Sequence, residues 1–367
     1  MVGVMAPWPF VDVPMALALH IVWKRLLLAL LAVAILASAS LLVFRWWNLQ
    51  LRSELARALA MAPAETQRYA WTDWAGIREE FAAFDTSTDT SPGSPPGSDQ
   101  DLADAASAAD LSSTSVIVDD AADLQAEVGF SPMSVDWELY AQSASGAVLL
   151  IRTDADAVTS ALRGGPYVQR DGYWERSATD PPPIPELANI VVIASRNLVI
   201  ASDSAEMVQR VADNIGERQA TEAIREVAAP IQQALTAQIY SRDYVCTALS
   251  TSQATDEEQD AAALLISAAG TISPLSGFAI AADGSGQDAG VDVVLGFETE
   301  DQARSNLASR VALASGPAVG RGGDFADLFS VEAAEADGVV VHLRLQPLAG
   351  VPAVSDLASG PVLFAAC

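Results

Sequence analysis

The chain has 367 residues, 51% of them hydrophobic, and a formal net charge of −27, with Lys24 as its one lysine. That length and apolar content allow a buried core and two ordinary domains. The acidity excludes the clustered positive surface that a phosphate backbone requires, so no nucleic-acid partner is expected, and the charge reads as a means of staying soluble.

Residues 1–23 contain no Lys or Arg, include Pro7, Pro9 and Pro14, and read as a short cytoplasmic tail; Met15 serves as a start as well as Met1. Lys24-Arg25 then opens an uncharged run from Leu26 to Phe44, closed by Arg45-Trp46-Trp47. As a helix that run is about 28 Å long, close to the hydrocarbon thickness of a bilayer. Trp23, Trp46 and Trp47 flank it where indole rings settle at the headgroups. Residues 24–47 are therefore expected to be a transmembrane signal anchor whose partner is the lipid bilayer. Ala37-Ser38-Ala39 has the small-residue pattern of a signal-peptidase site, but Leu41 to Phe44 carries the apolar run on to bilayer length, which favours an uncleaved segment. Lys24 and Arg25 precede it and Arg45, Arg52 and Arg57 follow it, so counting positive charges does not orient it. The large acidic C-terminal part and its two cysteines favour export of that side.

The reading divides the remainder into 48–84, 85–100, 101–220 and 221–367. In the first, Leu51, Leu55, Ala58 and Leu59 extend a helix that Pro63 stops. Arg68 to Trp74 then forms an aromatic strand, followed by a helix that Asp73 can cap. The aromatic cluster reads as core packing, with a carbohydrate-stacking platform as the rarer alternative. Asp85 to Gln100 is Ser/Pro/Gly-rich and reads as a flexible loop. Helical signals resume from Leu102 to about Val128, with a break near Ser112–Ser115.

From Val135 a pattern starts and later recurs. Trp137–Gln142 and Ala147–Arg152 pair as strands, Thr153–Arg163 is a helix, and Tyr167–Arg170 with Tyr173–Arg176 flanks a hairpin turn at Asp171-Gly172. In the later copy Gly277–Ala282 pairs with Val291–Thr299. A helix follows, boxed by Thr299 and Gln302, and then a hairpin across Asp337-Gly338. Between the copies lie a hairpin (Ile190–Ala194, Leu198–Ala201), helices after Ser204 and around Ile224–Ile231, and a strand Gln238–Ala248 holding Cys246. A helix capped by Thr255 should turn Leu264, Leu265 and Ala268 inward. Hairpins with helices between them predict an α+β fold: two tandem strand-pair, helix and hairpin modules on antiparallel sheet.

Residues able to do chemistry are few. His342 falls on the polar side of an alternating strand, and His20 precedes the anchor. No Gly-x-Ser-x-Gly elbow, His-Glu-x-x-His or Walker loop occurs. The loop Asp283 to Asp288 has calcium-ligating residue types but sits between two strands, where a solvated turn is the ordinary outcome. The glycines from Gly316 to Gly323 follow a helix, whereas phosphate-cradling loops precede one. No catalytic residue, metal ligand or cofactor is assigned. Outside the membrane Cys246 and Cys367 are expected to pair as a disulfide closing a loop of roughly 120 residues.

Tyr69-Ala70-Trp71-Thr72-Asp73-Trp74, Ala314-Ser315-Gly316-Pro317 and the ending Gly360 to Cys367 resemble a group of uncharacterised exported proteins of high-GC Gram-positive bacteria with one N-terminal hydrophobic segment. The resemblance implies a location and no mechanism. The expected function is a membrane-anchored extracytoplasmic ectodomain of the cell envelope, non-enzymatic, binding an envelope protein partner or serving a structural role. The alternatives are an accessory or sensor subunit of a membrane complex and a carboxylate-dependent envelope hydrolase.

Overall fold

Near-continuous apolar runs such as Ala147–Ile151, Leu198–Ala201 and Gly277–Ala282 have no polar face to give to water, so a sheet built from them must be covered on both sides. A computed structural model describes residues 53–85, 97–177, 179–216, 219–285 and 289–367. The anchor, the tail before it and most of the Ser/Pro/Gly-rich loop lie outside the described residues. No helix among the described residues is long and apolar enough to cross a membrane.

Ser53 to Cys367 forms one unit around a 12-stranded, wholly antiparallel sheet. Its strands are β1 (Arg68–Thr72), β2 (Trp137–Ser143), β3 (Gly146–Arg152), β4 (Tyr167–Gln169), β5 (Trp174–Arg176), β6 (Asn189–Ile193), β7 (Leu198–Ser202), β8 (Thr236–Ser241), β9 (Gly277–Ala282), β10 (Val291–Gly296), β11 (Phe329–Asp337) and β12 (Val340–Pro347). They lie in the order β11-β12-β10-β9-β8-β1-β2-β3-β7-β6-β5-β4. The aromatic strand β1 therefore stands at the middle of the sheet, between β8 and β2.

The helices are α1 (Glu54–Met61), α2 (Trp74–Asp85), α3 (Asp99–Ala108), α4 (Ala121–Glu127), α5 (Ala155–Gly164), α6 (Ala205–Asp213), α7 (Glu222–Ala228), α8 (Asp256–Ala269), α9 (Glu300–Ala314) and α10 (Ala353–Ala358). One core lies between the sheet and α2, α3, α4, α5, α8, α9 and α10, with Trp74, Phe278, Ile280 and Leu343 among its members. The other lies under α1, α6 and α7 and contains Tyr69, Trp71, Leu139, Leu150 and Ile239. Alternate residues of β3, β7 and β9 feed the two cores in turn, which is why these strands look almost uniformly apolar in sequence.

The two halves repeat one pairing path, β1-β2-β3-β7-β6 and β8-β9-β10-β12-β11. Gln67 N–H donates to Gln142 O as Leu235 N–H donates to Ala282 O; Ser241 N–H donates to Gln67 O as Asp73 N–H donates to Leu235 O, all at 2.8 Å. The first hairpin of each half is answered by β6–β7 in one and β11–β12 in the other. This corrects the sequence reading, which matched β4–β5 to β11–β12. The β4–β5 hairpin is an addition at the sheet's edge, and its strong Asp171-Gly172 turn signal drew the match to it; Gly172 has φ +86°.

Local signals hold where they were specific. Asp73 accepts from Gly76 N–H at 2.9 Å, Ser204 caps α6, and capping boxes close the starts of α8 and α9. Two expectations fail. The strand ends at Ser241, and Cys246 sits in a helical turn over Arg242–Leu249. There Val245 and Leu249, spaced i and i+4, both enter the first core, while Tyr244 stacks on Tyr240 at 5.3 Å. Tertiary packing outweighs the strand preference of the aromatic and β-branched residues. Helix α8 turns Leu264 outward, 74% exposed, and Ala268 is exposed as well. It buries only Ala262, with Leu265, Ile266 and Ala269 partly covered.

Candidate functional site

At the start of β1, the end of β2 and the end of β8, the two halves meet around an open groove of about 540 Å³. Its walls are Ala64 to Gln67 before β1, Ser143 to Ser145 in the β2–β3 turn, Thr221 at the start of α7, and Ser241 and Asp243 after β8. The tight turn brings the serines there: Ser143 Oγ donates to Gly146 O at 3.0 Å and lies 3.0 Å from Ser145 Oγ. Thr221 is present as a helix cap, accepting from Ile224 N–H. Glu65 pairs with Arg210 at 3.0 Å.

Two hydroxyls of this wall are closed to solvent, Thr66 Oγ1 and Ser241 Oγ; the Ser241 hydroxyl has no hydrogen-bond partner among the described residues. Thr66 is 4% exposed. Burial pushes the neighbouring Tyr69 hydroxyl up to about 12; a hydrogen bond with the Thr66 side chain opposes that shift, and Glu65 adds to it.

The opposite end of the same three strands is closed. There Thr114 bridges Thr72 and Thr236 at 2.8 and 2.7 Å and donates to Trp71 O, and Trp71 Nε1–H donates to Ala234 O. Sequence reasoning passed over Thr66 and Ser241 because lone hydroxyls at strand ends carry no pattern.

A larger cleft of about 770 Å³ lies at another edge, between the end of α3, the β9–β10 connection and the segment from Gln346 to Val354. Its walls are mostly alanine, glycine, valine and proline. Asp110 is the carboxylate among its described walls, and it accepts from Val354 and Ser355 N–H as a remote cap for α10. Burial raises its pKa, and those hydrogen bonds oppose the rise.

Other ionisable groups are equally engaged. Glu138 is buried on β2 and accepts from Trp74 Nε1–H at 3.0 Å and Val116 N–H at 3.3 Å. Burial pushes its carboxyl up to about 7. His342 Nε2 lies 2.8 Å from Asp292 Oδ1, whose other oxygen pairs with Arg344 at 2.7 Å. This network occupies the polar side of β12 that alternation predicts. Arg344 also holds Asp283 at 3.1 Å, and the rest of the acidic loop as far as Asp288 lies in part outside the described residues. Among the described residues no group of three or more His, Cys, Asp or Glu is arranged to hold a metal ion. The glycines of 316–323 form a connection, bridged at Pro317 and Asp324, between α9 and β11.

Cys246 and Cys367 are bonded, with Cα atoms 5.5 Å apart. The bond fastens a buried terminus: Val362 to Ala366 are each at most 2% exposed. Arg310, fully buried on α9, donates to Phe364 O at 2.9 Å, Ala366 O at 2.7 Å and Ser273 O at 2.6 Å. With carbonyls as its hydrogen-bond partners, burial pulls its pKa down to about 10.

No protein-family model matches the chain, and no curated protein is significantly similar to it. Solved structures of TP0453 in crystal forms I, III and IV are similar to it at 11%, 9% and 10% identity respectively. They cover 82% of this chain and 96–97% of theirs, with TM-scores of 0.36–0.38, a likeness too slight to carry an argument about function.

Proposed function

We infer that the chain is a single-pass membrane protein whose residues 24–47 form an uncleaved signal anchor and whose body, from residue 53 onward, is an extracytoplasmic ectodomain that binds an envelope partner. The observation that carries this reading is the Cys246–Cys367 bond. Cys367 is exposed, and an accessible disulfide persists in an oxidising compartment, not against a cytosolic thiol pool. The uncharged length of Leu26–Phe44 and its flanking tryptophans agree with an anchor. The resemblance to anchored exported proteins of high-GC Gram-positive bacteria points the same way.

The repeated pairing path supports two tandem modules fused into one sheet. A binding role is favoured over hydrolysis because the buried or network carboxylates, Glu138, Asp110 and Asp292, each answer a structural donor, and the open groove at the junction is walled by hydroxyls. The test of location is thiol labelling in intact cells. A membrane-impermeant maleimide should label Cys246 and Cys367 only after an impermeant reductant. Labelling without reduction, or only after lysis, refutes the placement. Release of soluble fragments from cell-wall glycan by the purified full chain would refute the binding role.

A further inference from the structure

We propose that the outer face of α8 is a self-association surface, on which α8 of a second copy of this chain packs antiparallel. This names a partner for the ectodomain, and for its strength it rests on the reading that residues 24–47 anchor the chain in a membrane. Helix α8 runs over 14 residues and buries only Ala262. Leu264 is 74% exposed, against 53% for Val168 and 46% for Leu348, the other exposed large hydrophobics among the described residues. Ala261 and Ala268 are exposed beside it, and Leu265 is half-buried. Residues 261, 264, 265 and 268 have the i, i+3, i+4, i+7 spacing of neighbours on one helix face. Four such residues frame the hole that takes a knob from a facing helix. Leu264 is the projecting knob, and the small side chains of Ala261 and Ala268 keep the two ends of the hole open. One surface therefore carries both a knob and the hole that fits it, as a two-fold contact requires.

Charge sets the direction of the pair. Asp256, Glu257, Glu258 and Asp260 crowd the first turns of α8, while residues 261–274 carry no ionisable side chain. A parallel pair would set the carboxylates of the two copies side by side. An antiparallel pair centred between residues 264 and 265 sets Ala261 against Ala268 of the partner subunit. Each acidic turn then faces an uncharged stretch. The same carboxylates beside the apolar stripe oppose an anionic lipid surface, where they would meet like charge. A helix of about 21 Å covers less than the ~800 Å² per partner of a stable soluble dimer. The pair therefore forms where a shared membrane raises the effective concentration of both copies.

The experiment uses the full chain in phosphatidylcholine vesicles. Cys246 and Cys367 are bonded to each other, so an introduced cysteine is the one free thiol. Ala261→Cys, Ala268→Cys and an equal mixture of the two are reconstituted, oxidised mildly and run on non-reducing gels. The mixture should give a dimer band that peptide mapping assigns to a 261–268 bond, at least fivefold stronger than the band from either variant alone. Like positions lie about 10 Å apart along the paired axes, beyond the reach of a disulfide. Adding Leu264→Glu to both variants should cut the band tenfold without moving the melting temperature, because the site is exposed. Absence of the band, equal bands from the single variants, or a band indifferent to Leu264→Glu each overturn the proposal. Quenching of a fluorophore on Leu264→Cys by brominated lipid overturns it in favour of the bilayer. Flotation with the vesicles reports the anchor separately. A chain that does not float refutes the anchor, and the same cross-linking at raised protein concentration in solution then decides the pairing.

Discussion

Glu138→Gln offers a sharp test of how the centre of the sheet is held. The carboxyl is 1% exposed and is pushed from 4.5 up to about 7 by burial, a shift that the Trp74, Ser115, Val116 and Ile117 donors only partly oppose. A raised folded-state pKa means that the native protein holds the proton more tightly than the unfolded chain. Its contribution is complete below pH 4.5, is lost as pH rises towards 7, and is constant above that. At 1.36 kcal/mol per unit, the loss between pH 4 and 8 is about 3 kcal/mol. Glutamine has the shape of the protonated acid and does not titrate, so the variant should match the parent near pH 4.5 and exceed it by about 3 kcal/mol at pH 8, less any cost of setting an amide N–H against Val116 N–H. The assay is urea unfolding of parent and variant in detergent, followed by tryptophan fluorescence, at half-unit steps from pH 4.5 to 8. The background from the other carboxylates cancels in the difference between the two proteins. Parallel stability curves would refute the reasoning, since they would mean that Glu138 is ionised and satisfied throughout.

Three further outcomes follow from the same structure. Replacing Cys246 and Cys367 with serine should lower stability by about 4–5 kcal/mol at most on loop entropy, and non-reducing peptide mapping of the parent should join the two cysteine peptides. Arg310→Met strips the donors from Phe364, Ala366 and Ser273 carbonyls, so it should cost roughly 2–4 kcal/mol and make the C-terminal segment the first site cut by carboxypeptidase once the disulfide is reduced. Trp71→Phe deletes the bond to Ala234 O and part of the 5.4 Å contact with Trp137. About 2 kcal/mol of lost stability in denaturant unfolding is expected.

The corrected elements show how far local pattern reaches. The capping signals at Thr255 and Thr299 and the turns at Asp171-Gly172 and Asp337-Gly338 are satisfied within a few residues, so they could be read without knowing any neighbour. Cys246 could not be placed that way. Its aromatic and β-branched surroundings suit a strand, and only the pocket that receives Val245 and Leu249 makes a helical turn the better choice. Leu264 misleads for the complementary reason: helical periodicity names an apolar stripe, but what lies against the helix decides which residues it covers. Thr66, Ser241 and Arg310 gave no sign at all, because a closed-off hydroxyl or a buried guanidinium is defined by distant parts of the chain.

By itself the order of residues determined the α+β class, the antiparallel hairpins, most helix starts and the pairing of the two cysteines, since each follows from short-range stereochemistry or from there being only two thiols. Tertiary structure alone decided that β1 lies at the centre of one continuous sheet, that β6–β7 and not β4–β5 answers β11–β12, and that a hydroxyl-walled groove opens between the halves. These depend on which strand edges meet, and a strand's two edges carry the same backbone donors and acceptors whatever its side chains. Pairing is settled only when both sheet faces are packed at once.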